Sequence, residues 1–90
     1  MTWISAEAAA QMWAMTPEAL LATRSHLQRE GAWSIEWRAN SVNAMSSGRH
    51  VGLLFFRGDV ERVALIKRRC RCTIRQAVRI YDAIAREGPL

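Results

Sequence analysis

Arg24, Ser25, Gln28 and Arg29 fall within six residues of one another. Each can donate hydrogen bonds to phosphate oxygens or to the edges of bases. The segment that would carry them is residues 16–31, TPEALLATRSHLQREG. Thr16 offers an N-cap hydroxyl, and Pro17 suits the first helical position, where its missing N–H costs nothing. Glu18 complements the positive end of the helix dipole, and Gly31 can take the left-handed conformation that closes a helix. Ala19, Leu20, Ala22 and Leu27 give the helix an apolar side, with Thr23 at its margin. The donors point elsewhere. A short, capped helix with a donor-rich outer face has the makings of a recognition helix, one that lays side chains against DNA.

Other reactive residues are few. Cys70 and Cys72 are the only cysteines, interleaved with arginines in Arg69-Cys70-Arg71-Cys72. Without a secretory signal, two thiols do not suggest a disulfide framework. A structural zinc site wants four soft or imidazole ligands, and only His26 and His50 remain, without motif spacing. Two reduced thiols at a helix junction are the expectation. No Ser-His-Asp, Cys-His, paired-carboxylate or P-loop constellation is present. Neither an enzymatic activity nor a cofactor is therefore expected.

Ninety residues, half of them hydrophobic, suffice for one small domain with a modest core. The formal net charge is +5 and the isoelectric point about 10.6, which suits a polyanionic partner. No apolar run approaches the ~18 residues that a bilayer span needs. The N-terminus lacks the basic-then-apolar layout of a signal peptide, so a cytoplasmic location without membrane contact is expected.

In chain order, Trp3 and Ile4 precede Ser5, a good N-cap, and residues 6–14 read as an alanine-rich helix buried through Ala9, Met12 and Trp13. A brief turn through Ala14 and Met15 leads into the capped helix, making a helix-turn-helix. Trp33, Ile35 and Trp37 then alternate with polar residues as in a half-buried strand. A polar, turn-rich run follows, and residues 51–56 return as a second strand. The pair makes a β-hairpin whose tip carries Arg49 and His50, a wing able to lie along the DNA backbone or minor groove. Asp59 is expected to cap a third helix over residues 60–69. The stretch from Arg62 to Arg79 is basic and contains no acid. Thr73 caps a last helix whose stripe of Ile74, Ala77, Val78, Tyr81, Ile84 and Ala85 follows helical spacing. This stripe must be buried, either on the domain or on a neighbouring protomer, with Arg75, Arg79, Asp82 and Arg86 on the other side.

Three motifs, in this order and spacing, carry a family resemblance: Trp3-Ile4-Ser5-Ala6-Glu7-Ala8-Ala9, the helix ending Arg29-Glu30-Gly31, and Phe55-Phe56-Arg57-Gly58-Asp59-Val60-Glu61-Arg62. Together they resemble the excisionase-type winged helix of the MerR superfamily, over residues 1–70. The resemblance implies an α+β fold, a winged helix-turn-helix domain over residues 1–70, and leaves the additional C-terminal helix, within residues 71–90, unexplained. It further implies a sequence-specific protein that binds double-stranded DNA. As an excisionase, or recombination directionality factor, it would bind repeated sites, bend DNA and steer a site-specific integrase towards excision of a phage or integrative element. It would assemble with itself along DNA, because one small winged helix makes too few contacts for high specificity. A small transcriptional regulator of a mobile element and a protein-interaction adaptor are the competing readings. The candidate DNA contacts are Thr16, Thr23, Arg24, Ser25, Gln28 and Arg29 on the helix, and Arg38, Arg49 and His50 on the hairpin. Arg57, Lys67, Arg68, Arg69 and Arg71 complete the set.

Overall fold

Ser5 starts the first helix as its spacing suggests: its hydroxyl accepts the Ala8 N–H at 3.1 Å. The computed structural model describes residues 3–39 and 53–87. Helix α1 (Ala6–Met12) buries Ala6, Ala9 and Ala10, small side chains that let other elements approach closely. Trp13 follows it into the core at 3% exposure, and its indole N–H donates to the Val60 carbonyl at 3.0 Å. Met12, expected on the buried side, is instead 37% exposed. Ala14 turns the chain at φ 58°, and Thr16 then caps α2 (Pro17–Glu30) by accepting the Ala19 N–H at 3.1 Å. Gly31, at φ 75°, closes α2 as the sequence suggests.

Three short strands, β1 (Trp3–Ser5), β2 (Trp37–Ala39) and β3 (Leu53–Phe56), form an antiparallel sheet with β3 in the middle. Phe55 lies opposite Ile4 on one side and Trp37 on the other, and is 1% exposed. Two strand expectations need correction. Trp3 and Ile4 are strand residues rather than a mere lead-in to Ser5. Residues 33–36 are irregular, and the first hairpin strand begins only at Trp37. The reason is competition for this segment. Ile35 is drawn into the core, the Ser34 hydroxyl donates to Asp82, and the Glu36 N–H donates to Asp59 at 2.9 Å rather than to a strand.

Helix α3 (Arg57–Cys70) begins two residues before Asp59, so Asp59 is not its cap. The residue at the cap is Phe56, whose side chain makes no capping bond. Helix α4 (Ile74–Glu87) opens with a reciprocal box: Thr73 Oγ1 accepts the Gln76 N–H at 3.2 Å, and Gln76 Oε1 accepts the Thr73 N–H at 3.0 Å. Ile74, Ala77 and Val78 join Leu20, Leu27, Ile35, Phe55, Val60 and Val63 in one core. Each large side chain buried there contributes about 1.5–3 kcal/mol. The rings of Trp13, Trp33 and Phe55 meet edge-to-face beside it, with centroids 6.2 and 6.3 Å apart. The apolar stripe of α4 stops short of its expected length. Ile84 is 57% exposed and Ala85 is exposed, while Asp82, expected outside, is buried. Among the described residues the architecture is therefore α+β, with four helices and one small antiparallel sheet.

Candidate nucleic-acid interface

The buried side of α2 is set by Leu20, Thr23 and Leu27. Thr23 is only 5% exposed, so it leaves the candidate surface: it lies three residues after Leu20 and four before Leu27, on their face. Ser25, Gln28 and Arg29 are exposed, and their side chains carry no hydrogen bond to other described residues. Thr16, at the head of the helix, is exposed and keeps its hydroxyl proton free to donate, since its oxygen serves the cap. Arg24 lies at the margin between the two faces, where its guanidinium carbon sits 4.4 Å above the centre of the Trp37 ring. Partial burial there lowers the Arg24 pKa from its ordinary value.

The C-terminal end of α2 and the chain leading to β2 are tied to α3 and α4 by polar contacts. Glu30 accepts from Arg79 at 2.8 Å and faces His26 at 2.9 Å. The hydrogen bond from Arg79, more than any other cause, holds the Glu30 carboxyl below the usual carboxylate range. Arg86 donates to the Gly31 carbonyl and also pairs with Asp82 at 2.8 Å. Buried Asp59 accepts from the Glu36 N–H and the Tyr81 hydroxyl. Burial first, then this bond to Asp59, pushes the Tyr81 pKa above its ordinary 10.0. Helix α4 thus fixes both the end of α2 and the start of the hairpin.

Three of the acids pair with arginines away from one basic region. Glu30, Glu61 and Asp82 take up Arg79, Arg57 and Arg86. Among the described residues no ion pair reaches Lys67, Arg68, Arg69, Arg71 or Arg75. Lys67, Arg68 and Arg69 form the last turn of α3, where cations complement the helix dipole, and Arg71 takes the left-handed capping position at φ 52°. Lys67 and Arg68 also line a cleft of about 210 Å³ with Met12, Trp13, Ala14 and Ala64. That cleft places the two cations beside the α1–α2 turn, at the approach to the N-terminus of α2.

Two candidates stand apart. Arg57 is at the far end of α3, roughly 15 Å along the helix from Lys67, and is paired with Glu61 at 2.8 Å. Arg38 lies over the Trp3 ring, 4.8 Å from its centre, on the sheet face opposite Trp37. Arg49 and His50 lie outside the described residues. Trp37, which holds Arg24, has no signal in the sequence beyond its place in an alternating run, and Trp3, which holds Arg38, none beyond its place ahead of the Ser5 cap. Cys70 and Cys72 are free thiols at the α3–α4 junction. Among the described residues no cluster of His, Cys, Asp or Glu could hold a metal ion, and no helix is long and apolar enough to cross a membrane. No family model, curated protein or solved structure matches the chain.

Proposed function

We propose that this chain is a winged helix-turn-helix protein that binds double-stranded DNA in a sequence-specific manner through α2, and that it acts by binding rather than by catalysis. The observation that carries this reading is the exposed row of Ser25, Gln28 and Arg29 on a doubly capped helix, with no side-chain hydrogen bond to other described residues. The element order β1-α1-α2-β2-β3-α3, with its antiparallel hairpin strands, supports it. So does the cationic turn of Lys67 and Arg68, without an ion partner among the described residues, beside the α1–α2 turn, where phosphates would lie once α2 entered a major groove. The motif resemblance supports the narrower role of an excisionase that bends DNA at repeated sites and steers an integrase in the cytoplasm.

The test is selection from a random duplex library followed by alanine variants. Gln28→Ala or Arg29→Ala is expected to relax preference at one base pair, with a loss of about 1–3 kcal/mol at the selected site. Lys67→Ala with Arg68→Ala is expected to weaken selected and scrambled duplexes alike. Failure of the wild-type chain to enrich or shift any duplex at low salt would overturn the reading. A selected duplex that binds without bending would remove the excisionase role and leave the regulator.

A further inference from the structure

Arg24 is in an unusual position for a cation. Its Nε atom is buried and has no acceptor, and none of its guanidinium nitrogens donates to another described residue. Among the described residues no carboxylate is paired with it. Its guanidinium carbon lies over the Trp37 ring, 4.4 Å from the centroid. A partly desolvated charge without a counter-ion is unfavourable by itself, and an aromatic face offsets only part of that. Such a group is suited to an acceptor supplied from outside. Trp37 is 44% exposed, on a strand whose backbone is held in register by pairing with Phe55, so the ring is presented from the sheet rather than from a loop.

A guanidinium held over a ring has lost much of its rotamer freedom before any ligand arrives, so less is lost when it binds. Its remaining donors keep the fork spacing that matches two acceptors side by side. In duplex DNA the base edge that presents such a pair in the major groove is guanine, with O6 and N7. Phosphate oxygens present the same chemistry without sequence information.

We propose that Arg24 reads a guanine through O6 and N7, and that Trp37 is a positioning residue that sets this preference without touching DNA. This rests on the reading of α2 as the DNA-binding helix. It goes beyond that reading by naming the base and the residue that orients its reader.

The probe is the selected duplex with each guanine replaced in turn by 7-deazaguanine, which lacks the N7 acceptor. One replacement is expected to weaken wild-type binding about 5- to 150-fold. Trp37→Ala should flatten that single preference and leave the others, with Trp37→Phe retaining part of it. Arg24→Lys keeps the charge but not the fork, so it should lose the guanine preference while the dependence of affinity on salt stays the same. This second variant leaves the sheet untouched, so it decides the matter even if Trp37→Ala fails to fold. Retention of the preference by Arg24→Lys, or by folded Trp37→Ala, overturns the proposal while leaving DNA binding in place. A uniform loss at every position, with the salt slope of Arg24→Ala about 0.9 shallower, assigns Arg24 to a phosphate and also overturns it. Absence of wild-type binding to any duplex overturns the functional reading itself.

Discussion

Asp59 joins three elements, and its removal should show what holds the hairpin in place. Its carboxylate, 8% exposed, accepts the Glu36 N–H ahead of β2 and the Tyr81 hydroxyl from α4, and it sits in the first turn of α3. Asp59→Ala leaves two donors without their acceptor, at about 1–3 kcal/mol each when buried. Glu36 is exposed and Tyr81 half-buried, so water recovers part of that and the low end applies. Loss of a negative charge from the first turn adds about 0.3–1 kcal/mol. The sum is about 2–4 kcal/mol. At roughly 4–8 °C per kcal/mol for a domain of this size, melting should fall by about 8–32 °C. Asp59→Asn keeps one carbonyl acceptor and the shape, and should cost about 1 kcal/mol. Urea and thermal denaturation followed by circular dichroism measure both. A double-mutant cycle with Tyr81→Phe should return a coupling of about 0.5–3 kcal/mol. Asp59→Ala within 0.5 kcal/mol of wild type, or no coupling to Tyr81, would refute the reasoning.

Ala14 holds a left-handed backbone at φ 58° on an exposed turn, so Ala14→Gly should raise stability by about 0.5–1 kcal/mol, read as a higher melting temperature. Ile84→Asp should leave melting of the free chain within about 0.5 kcal/mol, because Ile84 is 57% exposed, whereas Val78→Ala, at a fully buried site, should cost about 2 kcal/mol or more. The folded-state pKa of Tyr81 lies above its unfolded value of 10.0, so the folded chain holds that proton longer and stability falls as pH rises past about 10. Urea midpoints across that range should show the fall in wild type and a smaller one in Tyr81→Phe.

The starts of α1, α2 and α4 and the end of α2 were legible because each rests on a local rule; the start of α3 was not, since Asp59 lies inside that helix. Ser5, Thr16 and Thr73 bond the backbone three residues on, and Gly31 takes a positive φ, all within one turn of sequence. What could not be read depends on distant partners. The alternation of Trp33, Ile35 and Trp37 looks like a strand, yet Asp82 and Asp59, 48 and 23 residues away, take the Ser34 hydroxyl and the Glu36 N–H, so regular pairing starts only at Trp37. The same contact draws Asp82 inward and leaves Ile84 in solvent, where spacing alone predicts the reverse. On α2 the exposed donors were readable from helical spacing, but Thr23 was not, because a threonine at a face boundary follows whatever packs against it. The stacks of Arg24 on Trp37 and Arg38 on Trp3 join residues 13 and 35 positions apart, and no periodicity reports such pairs.

The salt dependence of duplex binding tests the account most directly. Lys67, Arg68, Arg69 and Arg71 have no ion partner among the described residues, and each neutralised phosphate contributes a slope of about −0.9 in log K against log salt. If all four meet phosphates, the slope should be about −3.6, an affinity loss of about 150-fold between 50 and 200 mM salt. Fluorescence anisotropy on a selected duplex measures it, and the fourfold alanine variant should approach a flat line. A wild-type slope shallower than about −1, or binding that appears only with single strands or acidic proteins, would contradict the claim that this chain holds α2 against duplex DNA.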